Sequence, residues 1–220
     1  MAAMLAGGNL FAVIGPDGAV ELLGAAQAVL TDPDTYRLSG LLRGLAGSED
    51  AAGRATPAGS LIVRLDDGAV VPLVDRLDEA GRGFRYRIGP AGSNPGDPAF
   101  TDLAATAGLA ALRPLRPVHL RARREAQGVR LSWIRRARRD GDSWEPAEIP
   151  LDEPEAYAVT LFAGATAVRT LRAEAQQLLY ADEAADFGGP QTSLDLSVAQ
   201  IAAVAGPGPA RRVRIPVRSA

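Results

Sequence analysis

The amino-acid sequence predicts an all-β protein. Short runs of apolar side chains alternate with polar ones along much of the chain, which is the pattern of half-buried strands. Glycine and proline are abundant, at 24 and 16 of 220 residues, and they cluster between these runs as turns require. The length and the hydrophobic content of 47% allow one large or two small domains, each with its own core.

The first half of the chain contains two predicted hairpins, in which a turn sequence rich in Gly or Asp separates two apolar runs. They comprise residues 9–14 with 19–23, and residues 61–65 with 69–74. A further strand is predicted where Phe84, Tyr86 and Ile88 alternate with arginines and a glycine. The Pro- and Gly-rich residues 90–98 should form a loop. The alanine-rich residues 102–112 are the helical candidate of this half.

The second half begins with residues 113–117, which contain two prolines. A stiff connector is expected there, because each proline ring fixes its own φ and restricts the preceding residue. Seven alternating runs follow, at residues 118–122, 129–133, 157–161, 168–171, 177–180, 194–198 and 213–217. Seven short strands with this punctuation are typical of an immunoglobulin-like sandwich. The predicted domains are therefore a β-rich one over residues 1–112 and a sandwich over residues 118–220.

The second domain resembles fibronectin type III modules. The shared features are a proline near the first strand, Trp133 in the second, Tyr157 early in the third, and residues 194–200 followed by the Gly-rich turn 205–209. Two departures are evident. Leu194 stands where the family usually has the tyrosine of its corner, so that hydrogen bond is not expected. Residues 135–155 also form a longer connection than the usual module has.

A second set of motifs is distributed over nearly the whole chain. They are Tyr36-Arg-Leu-Ser-Gly-Leu-Leu-Arg-Gly-Leu-Ala-Gly-Ser-Glu49, Leu131-Ser-Trp-Ile-Arg-Arg136, Gly141-Asp-Ser-Trp144 and Ala185-Asp-Phe-Gly-Gly189. Together they resemble the C-terminal portion of the large baseplate hub, or host-specificity, protein of gene transfer agents and related siphophage tails. The resemblance implies a structural protein of a tail tip. Large members carry an N-terminal TIM-barrel-like, hydrolase-related domain, but no part of it lies in these residues, so its activity is not carried over.

The reactive side chains argue against catalysis. The chain has no cysteine and one histidine, His119, which is expected on the outer face of an edge strand. The basic residues are all arginines, so a lysine-dependent phosphate loop is excluded. The sequence therefore predicts that the protein is not an enzyme and that it has no catalytic residue, no cofactor and no metal site.

Two acidic groups allow more than one interpretation. Asp66 and Asp67, followed by a glycine, could hold calcium, although hairpin turn chemistry explains them without a metal. Asp152, Glu153 and Glu155 could flank a sugar, although a solvated acidic loop explains them as well.

Two groups of residues are candidates for contact with partners. The first comprises Leu38, Gly40, Leu41, Arg43 and Gly44. Its glycines suggest tight turns where domains or subunits pack, and Arg43 is expected to pair with a carboxylate or a carbonyl. The second comprises Arg135, Arg136, Arg138, Arg139 and Trp144. Either these arginines contact phosphate, lipopolysaccharide or nucleic acid, or they pair with Glu145, Glu148, Asp152 and Glu153 of the same loop.

The sequence thus predicts a non-catalytic structural and host-recognition module of a phage-like tail tip. Its partners would be other tail and baseplate proteins and a host receptor or glycan, whereas the net charge of −2 argues against nucleic acid. We expect no signal peptide and no membrane insertion, and therefore synthesis in the bacterial cytoplasm and a place in the virion. Arg212, Arg214 and Arg218, on a presumed edge strand, predict that the isolated chain is a monomer.

The alternative is a carbohydrate-binding or spacer region of a secreted cell-wall hydrolase. Exposed aromatic platforms would favour that alternative, but the aromatic content is only 5%.

Overall fold

The computed structural model describes residues 2–65, 76–106, 108–109, 112–138, 151 and 153–219. Strands dominate these residues, and the prediction of an all-β protein is confirmed. The chain divides into two compact units, Met1–Asp75 and Arg76–Ala220. The predicted domain boundary at residues 113–117 lies inside the second unit, and whether it separates two independently folding domains stays a prediction.

The first unit contains an antiparallel sheet in the order β3-β2-β1-β4. Its elements are α1 (Ala2–Leu5), β1 (Leu10–Ile14), β2 (Val20–Asp32), β3 (Thr35–Leu42), a 3₁₀ turn (Leu45–Gly47), α2 (Glu49–Ala52) and β4 (Leu61–Arg64). The first predicted hairpin is confirmed, because β1 pairs with β2 across a turn at residues 15–18. In that turn the Gly18 amide donates to the Gly15 carbonyl at 2.9 Å, and Gly18 adopts the positive φ of +77° that favours glycine.

The second predicted hairpin is only partly described. Strand β4 forms as expected and pairs with β1. Its predicted partner, residues 69–74, lies outside the described residues, as do Asp66 and Asp67.

A small core holds together the part of this sheet that contains β1 and the first residues of β2. The buried apolar side chains are Met4, Ala12, Val13, Leu23 and Ala25. Met4 packs directly over Gly24, where a Cβ atom would lie only 2.7 Å from the Met4 Cγ atom. The short helix α1 therefore covers β2 at Gly24.

A two-stranded sheet follows in the second unit, after a 3₁₀ turn at Leu77–Glu79. It is formed by β5 (Gly83–Ile88) and β6 (Thr101–Thr106). The loop predicted at residues 90–98 connects these strands. The helix predicted at residues 102–112 is wrong over residues 102–106, which lie in β6. Helix propensity is a weak preference that tertiary pairing overrides, and here Tyr86 pairs across the ladder with Leu103.

All seven strands predicted for the second half are confirmed. They are β7 (Val118–Glu125), β8 (Gly128–Ile134), β9 (Tyr157–Ala163), β10 (Thr166–Ala173), β11 (Gln177–Tyr180), β12 (Ser193–Ala202) and β14 (Val213–Arg218), with a short β13 (Gly206–Pro207) and a helix, α3 (Glu183–Phe187). Hydrogen-bonded neighbours follow the order β10-β9-β12-β14-β7-β8-β11, with β13 beside β12. The β14–β7 pair is parallel and the others are antiparallel.

Strands in this order form a β-sandwich, because inward residues from both ends of the order form one core. Trp133 of β8 meets Tyr157 of β9 edge to face, with ring centroids 5.1 Å apart. Trp133 is 4% exposed, so its predicted burial is confirmed. Leu194 is buried in the same core, at the position where the resemblance would have a corner tyrosine.

Two expectations about sheet edges are wrong. Strand β14, which carries Arg214 and Arg218 and directly follows Arg212, lies between β12 and β7 and is not an edge. Strand β7 also has neighbours on both sides, so His119 is not on an edge strand either, although its side chain is exposed as expected. The parallel β14–β7 pairing joins strands from opposite ends of the domain, and local alternation carries no signal for such a pairing.

None of the helices in the described ranges has the length and apolar character needed to cross a bilayer.

Candidate functional site

The first candidate group surrounds a buried carboxylate on β2. Glu21 is 3% exposed. Arg43, which follows β3, donates from Nε to Glu21 Oε1 at 2.8 Å and from Nη2 to Oε2 at 2.5 Å. The Gly44 amide also donates to Glu21 Oε1, at 3.2 Å. The expectation that Arg43 pairs with a carboxylate is confirmed. These hydrogen bonds from Arg43 hold the pKa of Glu21 below its ordinary value, against the opposing effect of burial.

A serine extends this arrangement to the next residue of β2. Ser48 accepts a hydrogen bond from the Leu22 amide at 2.9 Å and donates one to the Leu45 carbonyl at 2.8 Å. Glu21, Arg43, Gly44 and Ser48 will be called the Glu21 clasp. Three of its four members belong to the motif at residues 36–49, so this part of the motif ties the chain after β3 back to β2.

The two glycines of the motif fit against their own unit. Gly44 has a φ of +67°, and a Cβ there would lie 3.0 Å from the Glu49 Cα atom. Gly40 has a φ of +62°, and a Cβ there would lie 2.8 Å from the Cβ atom of Ala26. The tight packing expected at these glycines therefore occurs within the first unit.

The remaining members of the group, Leu38 and Leu41, lie on a hairpin that extends past the core. Residues 26–42, which we call the arm, are the distal part of β2, its turn and β3. Every residue from 27 to 37 is exposed. Val29, Leu30 and Tyr36 are 53%, 59% and 63% exposed. Because consecutive strand residues point to opposite faces, the arm presents apolar side chains on both faces.

Three residues of the second candidate group line a cleft of about 140 Å³ in the second unit. Arg135, Arg136 and Arg138 share this cleft with residues 112–115, 153–154 and 200–202. Arg135 is buried. Arg138 donates from Nε and Nη2 to the Arg113 carbonyl, at 3.2 and 3.0 Å, and so ties the proline-rich segment to the chain after β8.

Part of this group cannot be placed. Arg139 and Trp144 lie outside the described residues, as do three of the expected carboxylate partners, Glu145, Glu148 and Asp152. The fourth, Glu153, accepts a hydrogen bond from the Ala203 amide. Glu155 accepts one from the Tyr157 hydroxyl. Glu153 and Glu155 thus form hydrogen bonds within the second unit, where each has a structural role near the cleft.

The motif at residues 185–189 forms a third polar cluster. The sequence alone indicated no role for it. Asp186 of α3 accepts two hydrogen bonds from Arg169, at 2.6 and 2.9 Å, and one from the Tyr180 hydroxyl at 2.7 Å. The hydrogen bonds from Arg169 are the largest cause that lowers the pKa of Asp186, and the hydrogen bond from Tyr180 is the next. Phe187 stacks edge to face on Tyr180. The motif therefore anchors α3 on β10 and β11.

The adjacent glutamate of the same helix is held in a similar way. Glu183 is buried and accepts hydrogen bonds from Arg124 and from the Gln191 amide. Arg124 also donates to the Gln191 carbonyl at 2.8 Å. Charged pairs thus attach α3 to β7 and β10. Within the described ranges, no group of three or more His, Cys, Asp or Glu side chains has a geometry that could hold a metal ion.

Comparison with known proteins gives one family match. A family model described as "Rcc01698-like, C-terminal" matches residues 1–63, which include the Glu21 clasp and the arm. No curated protein matches the chain. Among solved structures, the rat CD45 extracellular region, domains d3–d4, is similar over 86% of this chain and 92% of that chain, with 12% identity and a TM-score of 0.34.

Proposed function

We propose that this chain is a non-catalytic structural and host-recognition module of a phage-like tail tip, corresponding to the C-terminal part of a gene transfer agent baseplate hub protein. The four motifs named above support this proposal. The first motif lies within the residues that the family model matches. The chain would be made in the bacterial cytoplasm as a monomer and would join other tail and baseplate proteins in the virion.

The arm is the observation that carries the proposal. A two-stranded ribbon is marginally stable in water unless it packs against something else. Here Val29, Leu30 and Tyr36 are each more than half exposed. Burying them against a neighbouring protein would stabilise an assembly by roughly 25 cal/mol for each Å² of apolar surface removed from water. The Glu21 clasp fixes the base of the arm, so a partner would meet a preorganised surface.

The competing interpretation, a carbohydrate-binding spacer of a secreted hydrolase, would need exposed aromatic platforms. Trp133 is buried in the sandwich core and does not supply one. Tyr36 is exposed, but its ladder partner on the arm is the exposed aliphatic residue Leu30. That environment favours protein contact over sugar stacking.

The proposal is tested by measuring whether variants of the chain are incorporated into tail particles. The variant Val29→Ser/Leu30→Ser/Tyr36→Ser should leave the thermal unfolding midpoint of the isolated chain nearly unchanged, because these side chains pack little in the free protein. It should be lost from purified tail particles, as measured by immunoblotting. The matched control is Val204→Ser, at a side chain that is 56% exposed outside the arm. Normal incorporation of the arm variant, or equal loss of the control, would contradict the proposal.

A further inference from the structure

A row of arginines crosses the outer face of three neighbouring strands of the sandwich. Arg218 of β14 is the ladder partner of Arg123 of β7, and Arg123 is the partner of Arg130 of β8. The residues beside them in the ladder, Val217 and Ala122, pack in the core. Because side chains alternate along a strand, the three arginines therefore point outward.

A fourth arginine continues the row along β7. Arg121 lies two residues before Arg123, on the same face, and both are exposed, as is Arg218. Arg121, Arg123, Arg130 and Arg218 will be called the arginine face. Neighbouring strands lie about 4.8 Å apart, and alternate residues of one strand about 6.7 Å apart. Four positive charges thus lie within a small area.

One carboxylate, Glu125, interacts with two of these four charges, Arg130 and Arg123. Arg130 binds the Glu125 carboxylate, at 3.2 and 3.0 Å. Arg121, Arg123 and Arg218 have no ion pair with any residue in the described part of the chain. Like charges directly opposite each other in a sheet are destabilising. Several other arginines of this unit do bind carboxylates; the examples are Arg124, Arg169 and Arg212.

The chemistry of the face indicates which anion would bind. Guanidinium groups bind phosphate through paired hydrogen bonds. The outward residue Ser132, ladder partner of Arg121, and the exposed Gln177 beside it on β11 add groups that hydrogen-bond to hydroxyls. The outward positions of β7, β8 and β14, all described, hold no Phe, Tyr or Trp on which bases could stack. This pattern fits a phosphorylated polysaccharide better than single-stranded nucleic acid.

We infer that the arginine face binds the phosphate groups of a bacterial surface polysaccharide, such as the phosphorylated core of lipopolysaccharide. The inference deepens the proposed function and rests on it for the source of the ligand, because a tail tip meets the host surface. It assigns host contact to the outer face of the sandwich and leaves the arm for assembly.

The test measures binding of the purified full chain to immobilised lipopolysaccharide, before and after chemical removal of its phosphates. We expect binding to the phosphorylated form that weakens as salt is raised, and little binding to the dephosphorylated form. Arg121→Gln/Arg123→Gln/Arg218→Gln should bind about tenfold more weakly or worse, since three charge-assisted contacts are lost. The control is Arg82→Gln/Arg85→Gln/Arg172→Gln, which removes the same charge from exposed arginines elsewhere and should bind like the wild type.

Three results would overturn the inference. One is absence of binding to the phosphorylated form. Another is equal weakening by the two triple variants, which would indicate a general charge effect. The third is tighter binding of duplex DNA through the same three arginines, which would make nucleic acid the ligand. Because particle incorporation is not measured here, failure of this test leaves the assembly experiment on the arm to decide the proposed function independently.

Discussion

At the scale of single residues, Glu21 explains why a motif without reactive groups still constrains the fold. A carboxylate with 3% exposure loses most of its hydration, and that loss is tolerable only when charged or polar donors replace the water. Arg43 and the amide of Gly44 supply those donors. The motif around Arg43 therefore acts by satisfying one buried charge.

Replacing Arg43 by Met should destabilise the chain by about 2–3 kcal/mol. A fully buried pair that loses one partner costs ~3–5 kcal/mol, but the Arg43 side chain is 39% exposed and its loss is partly screened. Urea denaturation measures the effect. The double variant Glu21→Leu/Arg43→Met is the control and should lose less, because no carboxylate is left unpaired. A change below about 0.5 kcal/mol in Arg43→Met would show that Glu21 does not depend on this pair.

The same pair has a pH signature. Arg43 lowers the folded-state pKa of Glu21 below the ordinary value of 4.5. A carboxyl group with a lowered folded pKa stabilises the fold above its unfolded pKa, and that stabilisation is lost as the pH falls through the folded pKa. The wild-type free energy of unfolding should therefore decline below about pH 4.5 more steeply than that of the double variant.

Trp133 gives a second prediction at this scale. Trp133→Ala should cost about 3–5 kcal/mol, because it removes a large aromatic side chain from a closed core. Fluorescence checks the burial directly when Trp144→Phe removes the other indole. Emission from Trp133 should be blue-shifted in the native state and move to the red on unfolding. Emission typical of a solvated indole in the native protein would contradict the register of β8.

At the scale of elements, α3 is held mainly by charged side chains. Asp186 binds Arg169 and Tyr180, and Glu183 binds Arg124. Phe187 adds a ring contact with Tyr180. A helix of five residues cannot be stable by itself, since helices shorter than about 12 residues are marginal in water. The sandwich, through these contacts, determines where α3 forms.

Asp186→Asn should therefore loosen α3 and cost about 2 kcal/mol, since it removes a charge-assisted pair from a side chain that is 9% exposed. The neighbouring Asp182 offers a matched control. It also contacts Arg169, at 3.2 Å, but its side chain is 49% exposed, so Asp182→Asn should cost under about 1 kcal/mol. Chemical denaturation compares the two, and equal costs would show that the pairing of Asp186 is not what anchors the helix.

At the scale of the whole molecule, the connector at residues 113–117 predicts a sandwich that folds as an independent domain. Residues 116–220 contain every sandwich strand of the described ranges and the buried side chains that form its core. We expect this fragment to fold alone, with a β-type circular dichroism spectrum and a cooperative thermal transition. Residues 76–220, which add the β5–β6 hairpin, are the comparison. If only the longer fragment folds, the boundary lies before residue 83 and the connector at 113–117 is internal to a domain.

Local chemistry was sufficient to predict much of this protein from sequence. Alternation with a period of two located seven of the sandwich strands, because one face of each is buried. The same alternation placed Trp133 with Val129 and Leu131 on the buried face of β8. Arg43 was expected to pair with a carboxylate or a carbonyl, and it does pair with a carboxylate.

Only the tertiary structure decided which distant residues meet. Glu21 as the partner of Arg43, the strand at residues 101–106 in place of a helix, and β14 as an inner strand all depend on pairing between separated segments. The arginine face arises in the same way, since Arg123 and Arg218 become neighbours through the parallel β14–β7 pairing. Sequence alternation specifies which side of a strand is buried. Which strands become its neighbours depends on the free energy of the whole sheet.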